Sequence, residues 1–247
     1  MKIKFAISIA AILGAAIFFP AVCQAKAKTS PAIAHSMIRL EMHDDPGNPD
    51  DYIYKMFSVT KQLENRVIGN VYYIYKHNLE TNGTGGHVAG ANVMRTFGSR
   101  VLATLGYYYT VTERTSVNPD KTDKDRFLLA VNYTPYKTKA GSRINLSSSY
   151  NTQTDFVESK TIDAGISYTA AITKRLSATA GYKYNYVLSG IDMHLLDIWN
   201  ADISYKASKK TTIDAGYMFV DKVFDVPAGV VVEDDNIFRL GVKYRYF

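Results

Sequence analysis

The sequence predicts an all-β protein: an antiparallel transmembrane β-barrel of about twelve strands, with ten or fourteen as the neighbouring solutions. Three observations point there. The first is alternation. Leu176, Ala178, Ala180, Tyr182, Tyr184 and Tyr186 hold every second position, and Ser177, Thr179, Gly181, Lys183 and Asn185 fill the gaps. A strand written this way has one apolar and one polar face. A soluble sandwich would bury the apolar face against a second sheet; here it is small or aliphatic residues ending in Tyr, the pattern of a lipid-facing wall. The second is connection length. Short links at 64–65, 98–99, 138–141, 173–174 and 207–209 alternate with longer ones at 44–51, 79–85, 114–124 and 224–233, richer in Asp, Asn, Gly, Pro and Thr. Short turns at one end and longer loops at the other are the habit of such barrels. The third is the strand ends. Tyr109, Tyr186 and Phe219 finish strands running one way; Tyr133, Tyr168, Tyr205 and Tyr246 finish strands running the other. Each is in phase with its apolar face, so the rings predict two aromatic girdles.

The chain opens on Lys2 and Lys4, an apolar run over 5–22, and small residues around Cys23-Gln24-Ala25. This order reads as a secretory signal peptide over residues 1–25, with cleavage after 27 as the alternative. A single membrane anchor and a lipoprotein acylated at Cys23 are the competing readings. Residues 26–35 read as a short polar lead-in, and residues 36–247 as the barrel. Cys23 is the only cysteine, so a chain cleaved after 25 has no disulfide, thiol catalysis or Cys-based metal site. Losing Lys2 and Lys4 takes the formal charge from +6 to +4, which calls for no nucleic-acid partner.

Strands are expected over 36–43, 52–63, 66–77, 86–97, 100–112, 125–135, 142–153, 157–170, 175–188, 192–206, 210–222 and 234–247. The segment 51–63 can be phased either way. Thr161-Ile162-Asp163-Ala164-Gly165 recurs as Thr212-Ile213-Asp214-Ala215-Gly216, and a Gly-Tyr pair recurs at 106, 181 and 216. The phasing turns these glycines to the interior, where they leave room for a neighbour's side chain or let the strand bend.

The C-terminal segment Arg239-Leu240-Gly241-Val242-Lys243-Tyr244-Arg245-Tyr246-Phe247 resembles the last strand of bacterial outer-membrane β-barrel proteins, which usually end in an aromatic preceded by alternating apolar residues. The match is offset by one: Tyr246 takes the outward aromatic place and Phe247 is extra. The resemblance implies a location in the outer membrane, contact with its lipid and lipopolysaccharide, and handling by the barrel-assembly machinery. It implies no particular activity.

On the polar side, Arg126, Asn145, Asp163, Lys183, Asp202, Asp214, Lys222, Arg239, Lys243 and Arg245 are expected to line the lumen, since charge at membrane depth must avoid lipid. They fit a salt-bridge network or a narrow polar path. Twelve strands fall between the filled eight-stranded barrel and the open sixteen-stranded porin. The expectation is a narrow channel for small polar solutes or ions. The alternatives are a closed barrel acting through its surface loops, and a surface enzyme. An autotransporter translocator would need a passenger domain that the short lead-in does not supply.

Membrane-barrel enzymes need a base beside a nucleophile. None of the five histidines pairs with a serine at the spacing a strand would require, and His43 beside Asp44 and Asp45 is the best acid–His candidate. No catalytic residue, metal ligand or cofactor is assigned. The loop 44–51 carries four Asp residues, but its two prolines and its spacing fit a solvated turn better than a calcium loop.

Overall fold

The computed structural model describes residues 31–44, 51–64, 66–79, 83–112, 122–154, 160–188, 193–222 and 234–246. The signal-peptide reading and residues 26–30 of the lead-in lie outside them. Twelve strands run antiparallel: β1 (Ile33–His43), β2 (Tyr52–Glu64), β3 (Val67–Asn78), β4 (Gly83–Phe97), β5 (Val101–Thr112), β6 (Thr122–Lys137), β7 (Arg143–Thr154), β8 (Lys160–Ala171), β9 (Leu176–Val187), β10 (Met193–Lys206), β11 (Thr211–Lys222) and β12 (Asp235–Arg245). Each pairs with its sequence neighbours, and β1 pairs with β12 to close the barrel. Closure satisfies every ladder and leaves no edge, the condition for crossing lipid with strands. No described helix is long and apolar enough to cross a membrane.

The closing register runs from His35 opposite Arg245 to His43 opposite Ile237. β1 starts at Ile33, inside the segment expected to be lead-in. Pairing to β2, with Ile33 opposite Thr60 and Ala34 opposite Val59, recruits the first two residues, and Ala34 O also accepts from Tyr246 N beyond β12; their own alternation is too short to mark a strand. β6 extends to Lys137, two residues past its expected end. Its register shifts between Tyr133 and Tyr136. Pro135 lies within that shift, the place where a residue without a backbone N–H can enter a sheet. The short turns between β2 and β3, β4 and β5, and β6 and β7 use positive φ at Arg66 (69°), Gly98 (63°) and Gly141 (104°).

The apolar face points outward everywhere the described side chains can be followed. Leu105, Ile38, Leu129, Trp199 and Leu240 are all more than half exposed, which for a soluble domain would be an aggregation surface and for this barrel is the lipid belt. Tyr133, Tyr168, Tyr205 and Tyr246 are exposed on the same face. Tyr184 stacks with Tyr186 at 6.4 Å, and Tyr244 meets Tyr246 edge-on at 5.0 Å. Tyr109 and Phe219 sit in register with outward Ala89 and Trp199.

The ambiguous segment of β2 resolves through its partners. Tyr52, Tyr54 and Met56 face the same side as Asn78, Lys76 and Ile74. Phe57 is exposed on the other side.

Candidate functional site: the barrel interior

The polar face turns inward and collects charge. Lys183 Nζ lies 3.2 Å from Asp163 Oδ2, Arg239 Nη2 2.8 Å from Asp202 Oδ1, and Lys243 Nζ 3.8 Å from Asp214 Oδ2. These pairs join strands adjacent in the sheet except one: Arg239 on β12 reaches Asp202 on β10 across β11. Arg245 stands opposite His35. Asn145 accepts a hydrogen bond from the Thr134 hydroxyl at 2.9 Å. The side chain of Lys222 lies outside the described residues.

Asp163 is the hub of the β7–β9 wall. Its carboxylate accepts from Ser149 Oγ (2.9 Å), Asn151 Nδ2 (3.3 Å) and Asn185 Nδ2, besides pairing with Lys183. Asp214 accepts from Ser204. Asp202 accepts from Asn200 Nδ2 at 3.0 Å. Short polar side chains thus hold each carboxylate against the wall, and the long lysines reach outward from it: the Lys183 and Lys243 side chains are 44% and 45% exposed.

The glycines make this possible. A Cβ on Gly216 would stand 2.0 Å from Asp202 Oδ1, and one on Gly181 would stand 2.7 Å from Asn200 Oδ1. The neighbour's polar group lies flat across the glycine, so it stays on the wall. On the opposite side of the barrel the Tyr72 ring lies over Gly90 in the same way.

The Gly-Tyr repeat has a second part that no single strand shows. On the lipid face the hydroxyls of Tyr107, Tyr182 and Tyr217 donate to Asp125, Asp197 and Asn236 on the following strand. The same rings pack on Phe127, Trp199 and Phe238 at 5.1, 4.5 and 5.2 Å. Each ring buries its edge against an aromatic and keeps its hydroxyl bonded, as an interfacial Tyr must.

Several interior charges escaped the sequence reading. Arg39 and Glu41 on β1 lie 3.5 Å apart. Lys76 Nζ sits 3.3 Å from the centroid of the Tyr52 ring. His43 Nδ1 lies 2.8 Å from Asp235 Oδ2, with both side chains under 10% exposed. The expected neighbours of His43 were Asp44 and Asp45; barrel closure brings up an acid 192 residues away instead. Asp45 lies outside the described residues. Alternation in β1 and β12 carried the clue to facing, but which strands meet is a property of closure. Among the described residues no group of three or more His, Cys, Asp or Glu could hold a metal.

Counted by register, the described interior bases are Arg39, Lys76, Lys124, Arg126, Lys137, Arg143, Lys183, Lys206, Arg239, Lys243 and Arg245. They outnumber the acids Glu41, Asp163, Asp202, Asp214 and Asp235. Every one of those acids has a basic or His partner within 4 Å. Arg126, whose guanidinium sits 5.9 Å from the Tyr108 ring centroid, has no carboxylate partner among the described residues.

No protein-family model matches the sequence, and no curated protein is similar to it in sequence. Solved structures are similar to it in fold. An outer-membrane channel from Pseudomonas putida F1 superposes with a TM-score of 0.60 at 10% identity, covering 92% of this chain and 99% of its own. The KdgM porin gives 0.57 at 15% identity over 86% of this chain and 99% of its own. The NanC porin gives 0.56 at 10% over 85% and 98%. With its lipid belt, its girdles and this architecture, the chain is a twelve-stranded transmembrane β-barrel with the fold of outer-membrane porins.

Proposed function

We propose that the barrel is a passive channel for small polar solutes and ions, with a preference for anions. The observation that carries this is the interior charge balance. Each described interior carboxylate is held by a base or His43, while bases such as Arg126 stand in excess. A fixed positive surplus inside a low-dielectric wall concentrates anions and repels cations. The porin and channel folds it resembles support passage over a purely structural role. Refolded protein in a planar bilayer under a KCl gradient tests the reading. A stepwise current whose reversal potential shows chloride more permeant than potassium is expected. A cation preference refutes the selectivity, and an electrically silent barrel refutes the channel.

The paired carboxylates also favour a second reading, a closed barrel whose ion pairs fill the interior and whose loops make the contacts. The same recording separates the two.

A further inference from the structure

We infer that solutes cross this barrel off its axis, along the wall built by β7, β8 and β9; the inference rests on the channel reading above. In a closed ring of twelve strands, β8 and β9 stand opposite β2 and β3. The two walls are built differently. The inward positions of β2 and β3 carry Tyr52, Tyr54, Met56, Tyr72, Ile74 and Lys76. The inward positions of β8 and β9 are mostly small: Gly165, Ser167, Thr169, Thr179 and Gly181 sit in one register.

Burial of the smallest residues shows where the space goes. A serine or threonine on a bare wall beside water stays accessible. Ser58 on β2 and Thr104 on β5 are 9% exposed each, so the volume in front of them is filled. Their counterparts on the other wall are more open: Ser147 is exposed, and Ser149, Ser167, Thr169 and Thr179 are half-buried where Ser58 is buried. No inward residue of β7–β9 among those described is buried, whereas Met37, Tyr52 and Ser58 on β1 and β2 are.

The chemistry agrees with the space. Hydroxyls and amides line the open side, some already joined across strands, as Thr169 and Thr179 are at 3.0 Å. Such groups can replace part of a solute's hydration shell, which Met and Ile cannot. The Lys183 ammonium, paired with Asp163 yet 44% exposed, projects over this wall and is the charge a passing solute meets. Ser147, Ser167, Thr179 and Lys183 are therefore the solute-contacting residues.

Site-directed thiol labelling tests this. In the full chain, Cys23→Ser removes the single native thiol. Ser167→Cys and Thr179→Cys then place one thiol on the open wall, Ser58→Cys places one on the filled wall, and Thr104→Cys places one at a buried interior site on β5. The serine changes swap oxygen for sulfur, and the threonine changes also remove one methyl group. An anionic methanethiosulfonate reagent is applied to each protein in lipid, and both the mass gain and the single-channel current are followed. Water access controls the reaction, so Ser167→Cys and Thr179→Cys should react at least about tenfold faster than the other two, each losing current on reaction. Equal rates on the two walls, or faster reaction at Ser58→Cys and Thr104→Cys, in a conducting parent overturn the off-axis path and leave the channel reading standing. A parent without current overturns the channel reading and passage with it.

Discussion

Replacing Gly216 by Ala adds one methyl group to the interior, and its effect should travel through Asp202 to Arg239. The new Cβ would stand 2.0 Å from Asp202 Oδ1 and 3.0 Å from its Cγ, so the carboxylate must swing away. It then leaves Arg239 Nη2, now 2.8 Å distant, and Asn200 Nδ2, now 3.0 Å distant. The Arg239 side chain is only 17% exposed, and its Nε is already shielded without a partner, so water replaces the lost contact poorly. Overpacking costs about 1–3 kcal/mol, and losing a charged hydrogen bond about 1.5–3 kcal/mol. The two overlap, because the swing relieves the clash, and a net loss of about 2–4 kcal/mol is expected. The assay is a urea titration in lipid read by the fluorescence of Trp199, the single tryptophan, which sits exposed on the lipid face. Asp202→Ala supplies the control. With no carboxylate over the glycine, the added methyl group should cost nothing or stabilise the strand by about 0.5 kcal/mol, since Gly is unfavourable in a strand interior. The next nearest atom is the Ala201 carbonyl oxygen at 3.2 Å, which a small shift accommodates. An equal loss in both backgrounds would show that this backbone contact sets the cost and would refute the argument.

Other outcomes follow from the same geometry. Arg at Ala180, on the lipid face, should destabilise by about 2–4 kcal/mol, and Arg at Thr179, on the interior face, by far less; equal losses in a denaturant titration would invert the assigned facing. Asp163→Asn should move the reversal potential further toward anions, because one interior negative charge is lost while Lys183 stays partly in water. The same change leaves several donors around a poorer acceptor, so a loss of about 1–3 kcal/mol should accompany it on unfolding. Tyr182→Ala should cost about 0.5–1.5 kcal/mol beyond its buried area through the ring pair with Trp199, and should shift the tryptophan emission; an unchanged spectrum would deny the contact. Export predicts that intact-mass measurement finds the mature chain starting at Lys26 or Lys28; a mass retaining residues 1–25 would reject the signal peptide.

Alternation alone determined most of this protein's wall. Side chains repeat every two residues along a strand, so Leu240, Val242 and Tyr244 reveal one face and Arg239, Lys243 and Arg245 the other without reference to any partner. Turn chemistry is equally local, which is why short and long connections were legible. The glycines at 106, 165, 181 and 216 could be assigned to the interior for the same reason. Closure is not local. Only the assembled ring decides that β1 begins at Ile33, that His43 meets Asp235, that Arg239 reaches across β11 to Asp202, and how β2 is phased, since Ile53 and Tyr54 are both plausible on a lipid face. Nor could a strand reveal that Tyr107, Tyr182 and Tyr217 bond the next strand's Asp or Asn. That contact depends on register, and register follows from the pairing of two strands and the stagger of the whole barrel. The asymmetry of the interior arises the same way. Tyr72 and Thr179 look alike as polar-face residues in sequence, but one belongs to the filled wall and the other to the open one, because the ring sets β3 opposite β9.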